Sequence, residues 1–346
     1  MTVECRAPLA TKQLTEAVEV LDATLHQWVA EELVELRRTG DFEVRALKAE
    51  ASHRHFYRIL PAGNPTGSLV LMSSPPDREN NQAFEHLAEV FAAHGVCVPN
   101  ILARQRESGW YLLSDLGTLH LEQAYQQDSA ASLELALDAL LKIQTIPEGA
   151  VPPYTVQRFH DELAICREWL VEAWLGETFP AQDLDDVFAG LANRTEDQPQ
   201  VCVHRDFHCR NLLPGDGVMG VVDFQDALFG PTSYDLSSLL HDCYYRFTPA
   251  EVARWRQRYL ERSRLPLDPQ TFAADVDLMA AQRLLKAAGI FARLQLRDQK
   301  TSHLRYIPST LAHVATLCGP YKDLAALPPH LLRWAEAAAR KLEDAG

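Results

Sequence analysis

The sequence is poor in the features that mark disulfide-stapled, exported or membrane-spanning chains. Its 346 residues include only seven cysteines, and no two of them form a CxxC pair. This scarcity argues against a disulfide-stapled miniprotein and against paired zinc knuckles. The first residues carry no apolar signal segment, and the longest apolar runs fall far short of the roughly 18–20 residues that cross a bilayer. We therefore expect a cytoplasmic protein without a membrane partner.

Positive charge is also scarce. Lysine and arginine number 33 against 47 acidic residues, which gives a formal net charge of −14. Such a chain is a poor candidate for non-specific binding to nucleic acid or to an anionic membrane. A nucleotide is still compatible with this charge, because a metal ion and a few local cations can hold its phosphates.

Hydrophobic periodicity divides the chain into a strand-rich part and a helical part. Apolar residues at three- and four-residue steps predict helices over residues 11–38 and 81–94. Short β-prone runs predict a small antiparallel sheet from residues 42–47, 55–60, 68–73 and 110–114. The remainder is mostly helical, with one strand-rich island at 201–224. We expect an α+β protein with a small β-rich N-terminal lobe, residues 1–116, and a larger, mostly helical C-terminal lobe, residues 117–346.

The island at 201–224 collects the residues that phosphoryl transfer needs. Asp206 follows a short strand, Asn211 comes five residues later, and Asp223 ends a further strand. A carboxylate in such a loop orients an attacking hydroxyl and accepts its proton, while an amide and a second carboxylate hold Mg²⁺ on nucleotide phosphates. The order His-Arg-Asp, four residues, Asn, and then Asp-Phe is the spacing of a kinase catalytic loop.

Residues 204–236 resemble the aminoglycoside phosphotransferase family of small-molecule kinases. The motifs that carry the resemblance are His204-Arg205-Asp206, Asn211, Val222-Asp223-Phe224 and Tyr234-Asp235-Leu236. The resemblance implies a two-lobed protein-kinase-like fold that uses ATP and Mg²⁺. It makes Asp206 the catalytic base, and it makes Asn211 and Asp223 the metal ligands. Asp235 then either braces the catalytic loop or is an ordinary acidic residue at a helix start.

The resemblance also predicts a nucleotide site in the N-terminal lobe. Arg54 and Arg58 belong to the segment that covers the phosphates in that family. Ser114, Asp115 and Leu116 correspond to the hinge, whose backbone bonds the adenine edge.

The third predicted strand departs from the family pattern. Kinases of this fold usually carry a lysine there that pairs the α- and β-phosphates, and this chain has Met72 instead. Arg54 and Arg58 are the nearest cations in sequence that can substitute, although an isolated arginine is often only a solvated surface residue.

Residues 282–306 resemble one subgroup of the family, the cytoplasmic kinases that phosphorylate the anomeric hydroxyl of N-acetylmuramate and N-acetylglucosamine in peptidoglycan recycling. Six cations and a single acid lie between residues 283 and 305. These cations either face an anionic substrate group, such as the lactyl carboxylate of N-acetylmuramate, or form a solvated helix face. Arg293 is the first candidate for that contact. His208 is the second substrate-binding candidate, unless its ring only packs.

Two other functions stay open at this point. An aminoglycoside antibiotic phosphotransferase has the same motifs, but the basic segment at 283–305 disfavours a polycationic substrate. A nucleotide-binding pseudokinase would explain Met72, whereas the intact set of Asp206, Asn211 and Asp223 disfavours it. The leading interpretation is a sugar kinase that acts on a small amino sugar and uses ATP and Mg²⁺.

Overall fold

The computed structural model describes residues 20–38, 41–47, 53–62 and 67–344. The chain forms two compact units: the first unit comprises residues 1–142 and 210–226, and the second comprises 143–209 and 227–346. The chain therefore passes between the units three times. The predicted lobe boundary after residue 116 stays a prediction, since this division groups residues 117–142 with the first unit. Residues 11–19 of the first predicted helix lie outside the described residues.

An antiparallel sheet of five strands forms the centre of the first unit, and the sequence predicts four of these strands. The strands are β1 (Phe42–Leu47), β2 (His55–Pro61), β3 (Leu69–Ser73), β4 (Ile101–Gln105) and β5 (Trp110–Ser114). Their order in the sheet is β1-β2-β3-β5-β4. Helix α1 (Ala23–Glu35) begins after Asp22, whose carboxylate caps the first turn. Its apolar face packs on one side of the sheet, against a core that includes Ile59 and Leu71.

The opposite side of the sheet carries Met72 and Arg58. Side chains alternate between the two faces along a strand, so both residues point away from the α1 core that their neighbours Leu71 and Ile59 join. Met72 lies opposite Tyr111 of β5 in the register. Helix α2 (Asn81–Ala93) covers this face, and its Phe84 ring meets the Tyr111 ring at 5.7 Å between centroids.

A hairpin from far along the chain completes the first unit. It consists of β7 (Leu212–Pro214) and β8 (Met219–Val221). The backbone N–H of Val221 donates to the carbonyl of Cys97 at 2.8 Å. Just after the hairpin, the Phe224 ring stacks on Phe84 of α2 with 5.5 Å between centroids. These contacts explain why residues 210–226 belong with the sheet and α2.

The second unit is mostly helical, as the sequence predicts. Its one described sheet pairs β6 (Gln200–Val203) with β9 (Leu228–Pro231). Helix α3 (Leu121–Ile143) precedes this unit in the chain. The helices within the unit are α4 (Val156–Ile165), α5 (Ala181–Asn193), α6 (Tyr234–Leu240), α7 (Pro249–Arg262), α8 (Pro269–Asp298), α9 (Ile307–Cys318) and α10 (Leu327–Glu343). In the part of the chain that the structure describes, no helix is long and apolar enough to cross a membrane.

Helix α8 is seated closely against the end of α4. Beyond Ile165, α4 continues as a π-helix over Cys166–Leu175. A Cβ atom added to Gly289 of α8 would lie 2.6 Å from the Ile165 carbonyl oxygen and 2.7 Å from the Cys166 nitrogen. Only glycine fits this approach of two backbones, which fixes the position of α8 along α4.

The structure differs from the sequence pattern in a few elements. The pattern misses β4, β9 and α9: β4 is short and largely exposed, while β9 contains a Gly-Pro pair that is unusual in a strand. The apolar periodicity predicts a helix over residues 129–146, whereas α3 already starts at Leu121 and is interrupted at Asp128, whose carboxylate caps the following turn. The periodicity also predicts a helix over residues 234–245, but α6 ends at Leu240.

Candidate active site

The predicted catalytic loop follows strand β6 in the second unit, and a buried carboxylate holds its start. Asp235, at the beginning of α6, accepts the backbone N–H of His204 at 2.6 Å and that of Arg205 at 3.0 Å. Arg205 adopts a left-handed backbone conformation with φ of 76°. Burial raises the pKa of Asp235 to about 7, even though both N–H bonds favour its charged form. Asp235 therefore braces the loop, and is not merely an acidic residue at a helix start.

A second carboxylate holds the other end of the loop. Asp242, just after α6, accepts the backbone N–H of Cys209 at 3.0 Å. Asp206 lies between these two anchors. Its burial alone would raise its pKa, but the charges of Lys286, His208 and two nearby arginines outweigh this and hold the pKa below its ordinary value. Asp206 is therefore an ionised carboxylate on a fixed loop at neutral pH.

The two predicted metal ligands come together in the first unit. Asn211 precedes β7 and Asp223 follows β8, so the β7–β8 hairpin places them side by side. The Asn211 amide nitrogen lies 3.4 Å from Asp223 Oδ2, and Gln225 donates to Asp223 Oδ1 at 2.7 Å. Asp223, like Arg205, has a positive φ, here 65°.

This pair of side chains suits magnesium. Both residues offer hard oxygen donors, which Mg²⁺ prefers, and Mg²⁺ usually takes only one or two carboxylates beside water and phosphate ligands. Among the described residues, no group of three or more His, Cys, Asp or Glu side chains is arranged to hold a metal ion by itself. A site of two protein ligands that a nucleotide completes fits both observations.

The hinge candidates lie at the end of β5, and a buried ion pair fixes them. Arg58 of β2 donates from Nε to Asp115 Oδ2 at 2.7 Å and from a terminal nitrogen to the Gly117 carbonyl at 3.2 Å. Asp115 Oδ1 also accepts the Gly117 N–H at 2.9 Å. The Ser114 hydroxyl accepts the backbone N–H of Asn100 at 2.8 Å.

Leu116 differs from its neighbours in the hinge. Its side chain is buried in a small cluster with Cys97 and Leu213. Its backbone N–H and carbonyl make no hydrogen bond with any described residue. A polar backbone edge beside an apolar side chain is what an adenine ring requires, so the residues present fit a nucleotide.

The position of the missing lysine is apolar. Met72 is 1% exposed and lies opposite Phe56 and Tyr111 in the register. Arg58 points to the same face of the sheet, but its guanidinium is directed at the hinge. Arg54 is buried, donates to the Ser74 hydroxyl at 3.2 Å, and approaches Glu79 at 3.5 Å. Both arginines stay candidates for the phosphate contact, and both have protein partners in this structure.

The two substrate-binding candidates lie in the second unit. The His208 ring meets the Tyr244 ring edge to face, with 5.5 Å between centroids. Tyr244 in turn contacts the rings of Tyr306 and His303, so His208 adjoins a group of aromatic side chains. Arg293 is half-buried on α8, and its Nε has no hydrogen-bond partner among the described residues. Burial and the neighbouring Arg297 lower the pKa of Arg293.

The cations between 283 and 305 do not form one group. Arg283 and Lys286 lie at the catalytic loop, where Arg283 reaches the Arg205 carbonyl at 3.4 Å. Arg297 is exposed and pairs with Asp298, and Arg305 lies over the ring of Tyr306. Lys286 pairs with Glu162 at 2.9 Å, whereas Arg283 lies over the ring of Tyr234. Whether any cation of this segment contacts an anionic substrate group stays a prediction.

Comparison with known proteins finds one family model and several named relatives that match most of this chain. The model of the phosphotransferase enzyme family matches residues 43–274. A protein named N-acetylmuramate/N-acetylglucosamine kinase from Pseudomonas putida is 35% identical over 90% of this chain and 96% of its own length. A protein of the same name from Pseudomonas aeruginosa is 34% identical over 82% of this chain and 86% of its own length.

A solved structure shows the fold independently of sequence. A choline kinase from Streptococcus pneumoniae matches 85% of this chain and 100% of its own chain with a TM-score of 0.62, at 13% sequence identity. Identity this low carries information on fold alone. The fold is the α+β protein-kinase-like fold that the sequence predicts.

Proposed function

The chain belongs to the phosphotransferase enzyme family, and from that premise we propose that it is an ATP-dependent sugar kinase. Its acceptor is the anomeric hydroxyl of an N-acetylated amino sugar, N-acetylmuramate or N-acetylglucosamine. The names of the relatives that match most of this chain support that acceptor. The observation that carries the proposal is Asp206, a carboxylate kept ionised on a loop anchored at both ends.

Asp206 acts as the general base in this reaction. It accepts a hydrogen bond from the sugar hydroxyl, orients the oxygen toward the γ-phosphorus, and takes the proton as the new O–P bond forms. The bond between the γ-phosphorus and the bridging oxygen breaks, and ADP leaves with its electron pair. An anomeric hydroxyl is more acidic than other sugar hydroxyls, so a carboxylate of low pKa suffices as base.

The remaining site residues bind and orient the two substrates. Asn211 and Asp223 would hold Mg²⁺, which when bound offsets negative charge on the phosphates. The backbone of Leu116, held by the neighbouring Ser114 and Asp115, pairs with the adenine edge.

Four further residues complete the assignment. Arg54 and Arg58 supply positive charge in the nucleotide-binding unit, in place of the absent third-strand lysine. His208 contacts the acceptor sugar. Arg293 takes the carboxylate that N-acetylmuramate has and N-acetylglucosamine lacks, through the two parallel bonds that a guanidinium makes.

A panel of acceptors tests the proposal. The purified protein is given ATP and Mg²⁺ with N-acetylmuramate, N-acetylglucosamine, glucose or kanamycin, and ADP release is measured. We expect turnover with at least one acetylated sugar, and phosphorus NMR should place the new phosphate on the anomeric oxygen. Turnover with kanamycin alone would identify an antibiotic kinase, and no turnover with any acceptor would favour a pseudokinase. The Asp206→Asn protein serves as the blank.

A further inference from the structure

A single buried carboxylate in the second unit receives four side-chain donors. The side chain of Glu162 in α4 is only 6% exposed. Its Oε1 accepts hydrogen bonds from Arg205 at 2.7 Å and from Lys286 at 2.9 Å. Its Oε2 accepts hydrogen bonds from the Tyr154 hydroxyl at 2.5 Å and from the Gln282 amide at 3.2 Å. Glu162 thus joins the catalytic loop to α4 and α8 in one hydrogen-bonded cluster.

The charges of this cluster do not cancel. The single carboxylate of Glu162 faces two cations, Arg205 and Lys286, so these three side chains carry a net charge of +1. Asp206 directly follows Arg205 in the loop and therefore lies next to this excess positive charge. Lys286 stays charged: its burial would lower its pKa, but Tyr234, Glu162 and Asp206 together raise it above its ordinary value. The low pKa of Asp206 has the same origin, since Lys286 is the largest of the influences that oppose its burial.

The other charged groups around Asp206 have different tasks. Arg205 lies over the Tyr154 ring at 5.2 Å, and Arg283 lies over the Tyr234 ring at 5.1 Å. These arginines stack on aromatic rings, whereas Lys286 has a flexible stem whose ammonium group, within the described residues, is held by Glu162 at 2.9 Å. The charged groups that act electrostatically on Asp206 are Arg205 and His208 from its own loop, Arg283 and Lys286 from α8, and Asp235 from α6. Glu162 of α4 bonds to two of them, Arg205 and Lys286.

We propose that Lys286, oriented by Glu162, is a positioning residue that maintains a positive charge beside Asp206 and so keeps the base ionised. The proposal rests on the proposed role of Asp206 as general base. It assigns to α8 a part in catalysis that the loop motif does not contain.

The direction of the pH effect follows from the sign of the charge. The ionised form of Asp206 is active, so turnover is present above its pKa and is lost as the pH falls through it. An opposite charge within about 4–6 Å lowers a carboxyl pKa by about 1–3 units. Without the charge of Lys286, the loss of turnover therefore begins at a higher pH.

The test compares three substitutions at Lys286 and Glu162. Lys286→Gln keeps a donor for Glu162 but removes the charge, and we expect the acid limb of kcat/KM to move up by about one pH unit or more. Lys286→Arg keeps the charge and should leave that limb near the wild-type position. Glu162→Gln removes a negative charge, so its acid limb should stay at or below that of the wild type while kcat falls because the loop loses its anchor. If both substitutions merely loosened the active site, the acid limbs of Lys286→Gln and Glu162→Gln would shift in the same direction, which would contradict the proposal.

A matched control comes from the same helix. Arg297→Met removes an exposed cation of α8 that pairs with Asp298, and its acid limb should equal that of the wild type. Circular dichroism verifies that each variant is folded. Lys286→Gln retains the pairing of Arg205 with Glu162, which favours folding.

A measurement without turnover separates this inference from the proposed function. Carbon-13 NMR of aspartate-labelled protein follows the carboxyl titration of Asp206, which the Asp206→Asn variant identifies. A higher titration midpoint in Lys286→Gln supports the inference even if no sugar is phosphorylated, in which case the proposed function fails. An unchanged midpoint overturns the inference whatever the acceptor panel gives.

Discussion

Replacing Arg58 with methionine should both destabilise the protein and weaken nucleotide binding. The Arg58 guanidinium donates to Asp115 at 2.7 Å and to the Gly117 carbonyl at 3.2 Å. The Arg58 and Asp115 side chains are only 9% and 4% exposed, so both charged groups are buried away from solvent. Removing one partner of a buried ion pair strands the other charge and costs about 3–5 kcal/mol. We expect the free energy of unfolding of Arg58→Met, from urea denaturation, to fall by about that amount.

A double-mutant cycle isolates the pair. Asp115→Asn alone strands Arg58, whereas the double variant leaves no unpaired charge, so it should lose clearly less stability than the sum of the single variants. Arg45→Met is the matched control: Arg45 lies opposite Arg58 in the register, but its side chain is 31% exposed, and its ion-pair partner among the described residues is Glu43. An exposed pair of this kind contributes about 0–1 kcal/mol.

The nucleotide supplies the second readout. If the pair holds the hinge, the loss of about one backbone hydrogen bond to adenine should weaken ATP binding by about five- to tenfold in Arg58→Met, measured by calorimetry. Additive stabilities in the cycle would show that Arg58 and Asp115 do not act as a pair. Unchanged ATP affinity in a destabilised variant would limit Arg58 to a structural role.

Four further substitutions test other residues of the site and the packing of α8 on α4. Asp206→Asn should reduce kcat by about 10²–10⁴-fold while ATP affinity, measured by calorimetry, stays near wild type; near-normal turnover would remove Asp206 as base. Asp223→Ala should raise the Mg²⁺ concentration needed for half-maximal rate, and a wild-type magnesium titration would contradict the ligand assignment. Arg293→Ala should lower kcat/KM for N-acetylmuramate by about 10–150-fold and much less for N-acetylglucosamine; equal losses would exclude the carboxylate contact. Gly289→Ala should lower the free energy of unfolding by about 1–3 kcal/mol, because its Cβ would overlap the α4 backbone; a wild-type denaturation midpoint would refute this.

The parts of the site that lie close together in sequence are those that the sequence predicts. Asp206 and Asn211 are five residues apart, and Asp223 follows on the next hairpin, so spacing alone indicates their chemistry. The sequence leaves two interpretations of Asp235 open, a brace of the loop or an ordinary acid at a helix start, and its two backbone hydrogen bonds decide for the brace. The sequence also predicts most of the five-stranded sheet, because most of its strands are short β-prone runs between turn residues.

The Glu162 cluster could not be found in this way, because it depends on contacts between distant segments. Lys286 and Glu162 are 124 residues apart, and their meeting depends on how α8 packs on α4. One local signal does exist, since Glu162 lies between Phe159 and Leu163 on the buried side of α4. An acid at an apolar position of an amphipathic helix indicates a buried partner, but it does not say which one.

The three passages of the chain between the two units have a consequence for synthesis on the ribosome. The first unit contains the sheet and α2, but its β7–β8 hairpin, which bonds to the backbone at Cys97, is translated more than a hundred residues later. Until residue 226 has emerged, Phe84 lacks the ring of Phe224 and an apolar surface of α2 stays uncovered. The nascent chain therefore cannot complete its units one after the other. The first unit stays incomplete while residues 143–226, which include the whole catalytic loop, are made. A chain of two consecutive domains avoids this period of exposure to chaperones and proteases.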